Sequence, residues 1–118
     1  MLKKPVKDTN RIAKVNSLIE HELGPVLHEF LDWQKGLVTI SKVETSRDMK
    51  WCKVWISIFN GDDKKILDFI KNNIYDIQGE VNKHFHTKII PRLQFFLDTS
   101  PRYVEHIDEL VRKIHNDD

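Results

Sequence analysis

A run of basic and polar side chains after Gly79 is the strongest candidate for chemistry in this sequence. The run covers residues 82–88, Asn-Lys-His-Phe-His-Thr-Lys, and Arg92 follows it. If a helix starts after Gly79, its first amides and the basic side chains could together bind phosphate. On the pattern alone a solvated helix face with ordinary lysines is somewhat favoured, and the alternative is an RNA-backbone site. Its predicted contact residues are Gln78, Gly79, Asn82, Lys83, His86, Lys88 and Arg92.

Two further clusters of basic side chains could follow an RNA backbone. The first lies near the start of the chain, where its leading lysines would order only on binding, and a solubilising tail is the alternative. The second lies between two β-like stretches, where residues 46–48 could equally be turn chemistry, with Asp48 bonding local backbone. The first cluster is Lys3, Lys4, Lys7, Arg11 and Lys14, and the second is Arg47 and Lys50. RNA contacts are predicted for Arg11, Lys14, Arg47 and Lys50.

Trp51 and Trp55, with Lys53 between them, have the composition of a base-stacking surface. An aromatic ring that stacks on an unpaired base gains about 1–3 kcal/mol. Packing under a C-terminal helix is the main alternative, because tryptophan is usually well buried. If the rings instead dock a protein, the chain is a protein-interaction adaptor. The salt dependence of binding distinguishes the two functions, because only phosphate-driven binding weakens steeply as the salt concentration rises.

Catalytic and metal-binding residues are not evident in the sequence. His84 and His86 are two residues apart, so on a helix they would point to different sides and could not easily share a metal ion. Cys52 lies on the apolar side of a predicted strand, where a cysteine behaves as a small hydrophobic residue. No phosphate-binding glycine loop, pair of catalytic acids or nucleophile elbow stands out. We predict a protein that is not an enzyme and uses no cofactor or metal.

Length and charge restrict the class of protein. The chain has 118 residues, a formal net charge of +1 and one cysteine. A domain of this size can bury a core, while the near-zero charge argues against a protein that binds polyanions by sheer charge. No stretch approaches the ~20 apolar residues of a membrane span, and the start lacks the apolar core of a signal peptide. We expect a cytoplasmic monomer, without a disulfide and with local RNA-binding patches.

The first helix is marked by apolar residues at three- and four-residue steps from Ile12 to Leu31. Asp8 or Thr9 could cap its start, so we predict a flexible basic segment over residues 1–8 and a domain over residues 9–116. Gly24 and Pro25 interrupt the stripe without changing its phase. One kinked helix is therefore preferred to two separate helices.

Alternation of β-branched and polar residues predicts two antiparallel strands, over residues 37–43 and 51–59. In the second strand, Cys52, Val54, Ile56 and Ile58 should face the core. The connection over residues 44–50 is too long for a two-residue turn and should project from the sheet.

The second half of the chain predicts two more helices, a third strand and a last helix. Asp62 or Asp63 should cap a helix, Gly79 should break the helical run, and residues 93–97 form a strand. Apolar residues from Val104 to Ile114 indicate the last amphipathic helix. The predicted fold is a single α+β domain in which helices pack on a three-stranded sheet, in the order α-β-β-α-(Gly kink)-α-β-α.

This order looks like a type II KH-like domain, which is an RNA-binding architecture. Several segments resemble the bacterial ribosome-binding factor A family over roughly residues 9–110. They are LIEHEL at 18–23, GLVTISKVETSRD at 36–48, CKVWIS at 52–57 and IPRLQFFLDTS at 90–100. Where the family usually has Ala-x-Gly at the helix junction, this chain has Ile77, Gln78 and Gly79.

The resemblance implies work in ribosome assembly. Members of the family bind the immature small (30S) ribosomal subunit, contact 16S rRNA near its 5′ terminal helix and decoding region, and assist late maturation of that rRNA. They leave before translation and have no catalytic activity of their own. The implied partners of this chain are therefore 16S rRNA and the small subunit, and the resemblance favours RNA contact over a solvated helix face for the run after Gly79.

Overall fold

The computed structural model describes residues 3–86 and 90–99, with side chains from residue 10 onward. The described elements are α1 (Lys3–Phe30), β1 (Leu37–Thr45), β2 (Trp51–Phe59), α2 (Asp63–Asn72), α3 (Ile74–Asn82) and β3 (Arg92–Leu97). They confirm the predicted α+β class and the order of elements up to the third strand. The last predicted helix, from Val104 to Ile114, lies outside the described residues, as does Lys88.

The three strands form one sheet in the order β1-β2-β3. β1 and β2 pair antiparallel, as predicted, and β2 pairs parallel with β3 after the chain has crossed over through α2 and α3. β2 has the predicted bounds, whereas β1 runs two residues beyond Val43 to Thr45. The connection is therefore the short loop of residues 46–50.

One face of the sheet carries the hydrophobic core. Cys52, Val54 and Ile56 are fully buried there, and Ile58 is partly buried against the same cluster, as the alternation predicted. The helices contribute the rest of the core, because amphipathic helices bury their apolar stripes against a sheet. The buried helical side chains are Ile19, Leu23, Val26, Leu27, Ile66, Ile70, Ile77 and Val81. The described helices thus cover one face, while on the other face Trp51 and Phe96 are exposed and Trp55 is half-buried.

Helix α1 is continuous, and Pro25 lies inside it. The preference for one helix is confirmed, since the buried Leu23, Val26 and Leu27 hold both sides of the proline in the core. The predicted start at Asp8 or Thr9 is wrong, because the backbone is helical from Lys3. A helix that has formed extends by one hydrogen bond per added residue, so it can continue without an apolar face. The division into residues 1–8 and 9–116 stays a prediction.

The predicted helix break at Gly79 is also wrong, because the chain breaks at Asn73 and Gly79 lies inside α3. The Asn73 amide donates to the carbonyl oxygens of Phe69 and Ile70 at 3.1 and 3.2 Å, and its side-chain amide donates to Phe69 at 2.8 Å. These bonds satisfy the end of α2. The start of α2 is capped by Asp62, whose carboxylate accepts a hydrogen bond from the Lys65 amide at 3.1 Å, as predicted.

Candidate nucleic-acid interface

The structure brings parts of all three predicted basic segments to one end of the domain. Arg11 and Lys14 on α1, Met49 in the β1–β2 loop and His86 after α3 line the same cleft, which has a volume of about 450 Å³. Its other lining side chains are Val15, Leu18, His84 and Phe85. We call these eight residues, together with Arg47 and Lys50, the basic end. An apolar floor with a cationic rim can hold a base or sugar while side chains meet phosphate.

The β1–β2 loop is fixed by its own polar side chains. The Ser46 hydroxyl donates to the Asp48 carboxylate at 2.6 Å, and the Lys50 amide donates to the same carboxylate at 3.1 Å. These two bonds, the hydroxyl first, lower the pKa of Asp48. Turn chemistry at residues 46–48 is therefore present, as the alternative proposed. These hydrogen bonds leave the basic side chains available to a partner, because Arg47 and Lys50 both remain exposed.

Met49 takes an unusual backbone conformation in this loop, with φ at 63°. The left-handed region costs an ordinary L-residue roughly 1 kcal/mol, so the loop bonds must hold it there. The Met49 amide donates to the Ser46 carbonyl oxygen at 3.0 Å. Met49 thereby comes to lie in the cleft wall between its exposed neighbours.

Asn16 joins α1 to this loop and was missed by the sequence reading. Its side-chain oxygen accepts from the Thr45 amide at 3.0 Å and from the Thr45 hydroxyl at 2.5 Å. Thr45 is buried at the end of β1, so losing this acceptor would leave two buried donors without it. Asn16 therefore fixes the helix that carries Arg11 and Lys14 next to the loop that carries Arg47. The sequence signal was a polar residue beside the apolar stripe.

Gln78 has an internal role that its predicted RNA contact did not anticipate. Its side-chain oxygen accepts from the Leu93 amide at 2.8 Å. Its nitrogen donates to the Pro91 carbonyl oxygen at 3.1 Å and to the Asn82 side-chain oxygen at 2.9 Å. Gln78 thus links α3 to the start of β3, and so fixes both ends of the segment that joins them.

The chemistry expected after Gly79 also needs correction. Residues 80–82 are the last turn of α3, so this segment does not supply the free amides of a helix start. Lys83 pairs with Glu80 at 2.9 Å, and His84 lies 3.3 Å from Glu22. A cation at a helix C-terminus is favoured by the helix dipole, which explains part of this basic run without RNA. Any phosphate contact here must come from side chains.

Arg92 lies beside the loop. Its amide donates to the Lys50 carbonyl oxygen at 2.9 Å, and its guanidinium lies 5.9 Å from the centre of the Trp51 ring. Both side chains are exposed on the sheet face opposite the helices. Arg92 is thus close to Lys50 in the fold but outside the cleft. RNA contact by the predicted site residues stays a prediction.

Groups for metal or covalent chemistry are not brought together at this end. Within residues 10–86 and 90–99, no cluster of three or more histidine, cysteine, aspartate or glutamate side chains could hold a metal ion. Burial raises the pKa of the Cys52 thiol, which disfavours the nucleophilic thiolate. None of the described helices is long and apolar enough to cross a bilayer.

The fold and the basic end define a small α+β domain that carries basic side chains from separate parts of the chain at one end. The family model for ribosome-binding factor A matches residues 11–111, so the chain belongs to the ribosome-binding factor A family. Among relatives, ribosome-binding factor A of Thermodesulfovibrio yellowstonii is 30% identical over 106 residues, which cover 88% of this chain and 90% of that protein.

Solved structures support the same fold. The crystal structure of ribosome-binding factor A from Thermus thermophilus superposes with a TM-score of 0.63 at 16% identity, over 73% of this chain and 94% of that one. A homology model of Thermus thermophilus ribosome-binding factor A, fitted into a cryo-EM map of its 30S complex, matches with a TM-score of 0.52 at 18% identity, over 67% of this chain and 90% of that one. The resemblance found in the sequence is therefore confirmed.

Proposed function

We propose that this protein binds the free or immature small ribosomal subunit through 16S rRNA, with the basic end as its contact surface. The observation that carries the proposal is that Arg11, Lys14 and His86 line one cleft together with Met49, whose loop also carries the exposed Arg47 and Lys50. These residues come from three separate parts of a chain whose net charge is only +1. Concentrating cations at one end gives a nearly neutral protein a local site for phosphate.

Binding by local patches also suits recognition of RNA shape. The rim can contact phosphates on either side of the cleft, while Met49 and Phe85 offer apolar contact to a base or sugar. The bonds of Asn16 and Gln78 described above help to fix the backbone segments that carry these side chains. A fixed spacing favours one arrangement of the RNA backbone over others.

The proposed role is to assist late maturation of 16S rRNA, near its 5′ terminal helix, without catalysing a reaction. A binding protein can do this when its affinity for one rRNA conformation exceeds its affinity for another, because only the difference shifts the population. The family membership and the Thermus thermophilus coordinates fitted to a 30S complex support the small subunit as the partner. In this proposal the protein acts as a cytoplasmic monomer.

Sedimentation of a tagged copy in a sucrose gradient tests the proposal. We expect the protein to travel with free small subunits and not with whole ribosomes. The double variant Lys14→Glu and Arg47→Glu should reduce that association by about tenfold or more, because each change replaces a phosphate-binding cation with an anion.

The matched control reverses the charge of two exposed lysines on α2, Lys64→Glu and Lys65→Glu, which lie outside the basic end. It should bind like the parent protein. Migration of the parent at the top of the gradient, or in a complex that resists ribonuclease, would contradict the proposal and favour a protein-interaction adaptor. Equal loss in both double variants would mean that only net charge matters, which would also contradict it.

A further inference from the structure

The sheet face opposite the helices presents a second group of aromatic and basic side chains, which we call the outer face. Its members are Lys42, Trp51, Lys53, Trp55, Arg92 and Phe96. Trp51 is 43% exposed and Phe96 is 39% exposed. Large aromatic side chains grouped on an exposed sheet face usually mark a binding surface.

The rings and cations of the outer face are already arranged in contact. Trp55 on β2 and Phe96 on β3 are cross-strand partners, with ring centres 5.6 Å apart and planes inclined by 30°. The Lys42 ammonium lies 5.1 Å from the Trp55 ring, and the Arg92 guanidinium lies 5.9 Å from the Trp51 ring. The face therefore has two aromatic positions, each next to a cation.

We propose that the outer face binds an unpaired RNA strand, with bases stacked at Trp51 and at the Trp55–Phe96 pair. Lys53 and Arg92 would meet the phosphates between them. Neighbouring strands that each present an aromatic ring form a stacking platform in other RNA-binding sheets, because every base has a flat face to offer. Double-stranded RNA does not fit this proposal, since its bases are stacked on one another.

The charges on the outer face favour RNA over a protein or a second copy of the chain. Within the three strands, the side chains on this side of the sheet include the basic residues Lys42, Lys53 and Arg92 and the acid Glu44, which pairs with Lys42 at 3.3 Å. Lys53 and Arg92 add positive charge around the exposed rings. An apolar docking surface would gain little from cations held beside its rings, whereas a phosphate backbone needs them.

The spacing of the two stacking positions sets the length of the strand. A rise of about 3.3 Å per residue separates Trp51 from Trp55 by roughly 13 Å along β2. Stacked nucleotides advance by about 3.4 Å, so a dinucleotide is too short to reach both positions. A hexanucleotide of uridine and adenine, which forms no stable duplex, is therefore the probe, and a dinucleotide should bind measurably more weakly.

The site can be located by tryptophan fluorescence in the full chain. Trp33 packs against Phe69 with ring centres 5.0 Å apart, away from the sheet, so Trp33→Phe leaves Trp51 and Trp55 as the reporters. The hexanucleotide should quench their emission. Raising salt from about 50 to 200 mM should weaken binding by roughly sevenfold if two phosphates are contacted.

Variants then test stacking, with affinity read from the anisotropy of a dye-labelled hexanucleotide. Trp51→Ala and Phe96→Ala should each weaken binding by about tenfold, whereas Trp51→Phe, which keeps an aromatic face, should restore most of it. Tyr75→Ala is the matched control, because Tyr75 is an exposed aromatic residue on α3 that does not belong to the outer face. It should leave the affinity unchanged.

This inference goes beyond the proposed function, and the two can fail separately. Unchanged affinity in both Trp51→Ala and Phe96→Ala would overturn it, as would binding that disappears only when Arg11 and Lys14 are replaced. Self-association of the parent chain that Trp51→Ala abolishes, without any quenching by the hexanucleotide, would overturn it in favour of a second copy. Each result leaves co-sedimentation with the small subunit as an independent measurement.

Discussion

The two ends of the described domain are built for different purposes. At one end the turn after α1 lies against the turn before α2, and a Cβ atom on Gly36 would stand 2.7 Å from the Gly61 Cα atom. The Gln34 side chain spans that turn, donating to the Gly36 carbonyl oxygen at 2.8 Å and accepting from its amide at 2.6 Å. We call Gln34, Gly36 and Gly61 the closed end. The basic end instead surrounds a cleft with charged side chains.

The difference separates residues that hold the fold from residues that are available to a partner. Where two backbone segments are in direct contact, any atom added between them disturbs both. Exposed cations such as Arg47 and Lys50 contribute little to folding, because water screens their interactions. We therefore expect substitutions at the closed end to change the free energy of unfolding, and charge changes at the basic end to change binding.

The largest expected effect is the loss of stability in Gly36→Ala. The new methyl group would meet the Gly61 backbone and the Gln34 side-chain oxygen, which would stand 2.8 Å from it, so the turns must separate. Overpacking of this kind costs about 1–3 kcal/mol, which lowers the melting temperature of a domain of this size by roughly 5 °C or more. Thermal unfolding followed by circular dichroism measures it.

Small-subunit binding by the folded fraction of Gly36→Ala should match that of the parent protein. A variant that unfolds like the parent would show that the turns are not packed together. A variant that stays folded but loses the subunit would place the closed end in the binding surface and remove the distinction between the ends.

Asn16→Ala is expected to affect both properties, because Asn16 links α1 to the loop of the basic end. Removing its side-chain oxygen takes the described acceptor from the Thr45 amide and hydroxyl, at a cost of about 1–3 kcal/mol. Subunit binding should also weaken, since the distance between Lys14 and Arg47 is no longer fixed. Urea unfolding and gradient sedimentation measure the two effects.

The control is Ser17→Ala, an exposed neighbour on the same helix. It should change neither property measurably. If Asn16→Ala lost stability but kept full binding, the spacing of the basic side chains would not matter for recognition.

The parts of the fold that the sequence predicted are those set by local patterns. The bounds of β2 follow from the alternation of Cys52, Val54 and Ile56 with polar or exposed neighbours, and the cap at Asp62 follows from local side-chain chemistry. The break at Asn73 was missed because glycine is a stronger breaker on average. Burial of Ile77 and Val81 on either side of Gly79 outweighs the ~1 kcal/mol that glycine costs a helix.

The candidate site was predicted as separate patches, and its assembly could not be read from the sequence. Arg11 and Lys14 come to lie beside the β1–β2 loop with the help of Asn16, which bonds Thr45, 29 residues away in the chain. Gln78 fixes the start of β3 through Leu93, 15 residues away. Side-chain to backbone bonds over such separations leave no periodic signal, so polar residues of this kind look like ordinary surface residues.

We expect Gly79→Ala to change the stability of the fold in the opposite direction to Gly36→Ala, although the chemical change is the same. Apart from the chain neighbours and the nearby backbone of α3 itself, no described atom lies within 4 Å of a Cβ atom on Gly79, and the residue is exposed. Alanine should therefore stabilise the protein by about 0.5–1 kcal/mol, seen as a rise in melting temperature. If RNA approaches the Gly79 backbone closely, small-subunit binding should fall while stability rises.

Tyr75→Ala on the same helix serves as the control for that second measurement, and it should leave subunit binding unchanged. Stabilisation of Gly79→Ala with full binding would remove Gly79 from the predicted contact residues. Destabilisation would mean that space near the helix is needed by the fold itself.

The smallest expected effect concerns the acid titration of the β1–β2 loop at the basic end. The Ser46 hydroxyl and then the Lys50 amide lower the pKa of Asp48 from its ordinary value of 3.8. Because the pKa is lower in the folded state, the loop bonds stabilise the fold at pH values above the pKa of the unfolded state. This stabilisation is lost as the pH falls through the pKa of the folded state. Asp48 is fully exposed, so only local order in the loop should respond.

In an NMR titration, Ser46→Ala should raise the midpoint of Asp48 towards 3.8, whereas Ser41→Ala should not. An unchanged midpoint in Ser46→Ala would show that the hydroxyl does not hold the carboxylate, and that Arg47 is positioned by the backbone alone.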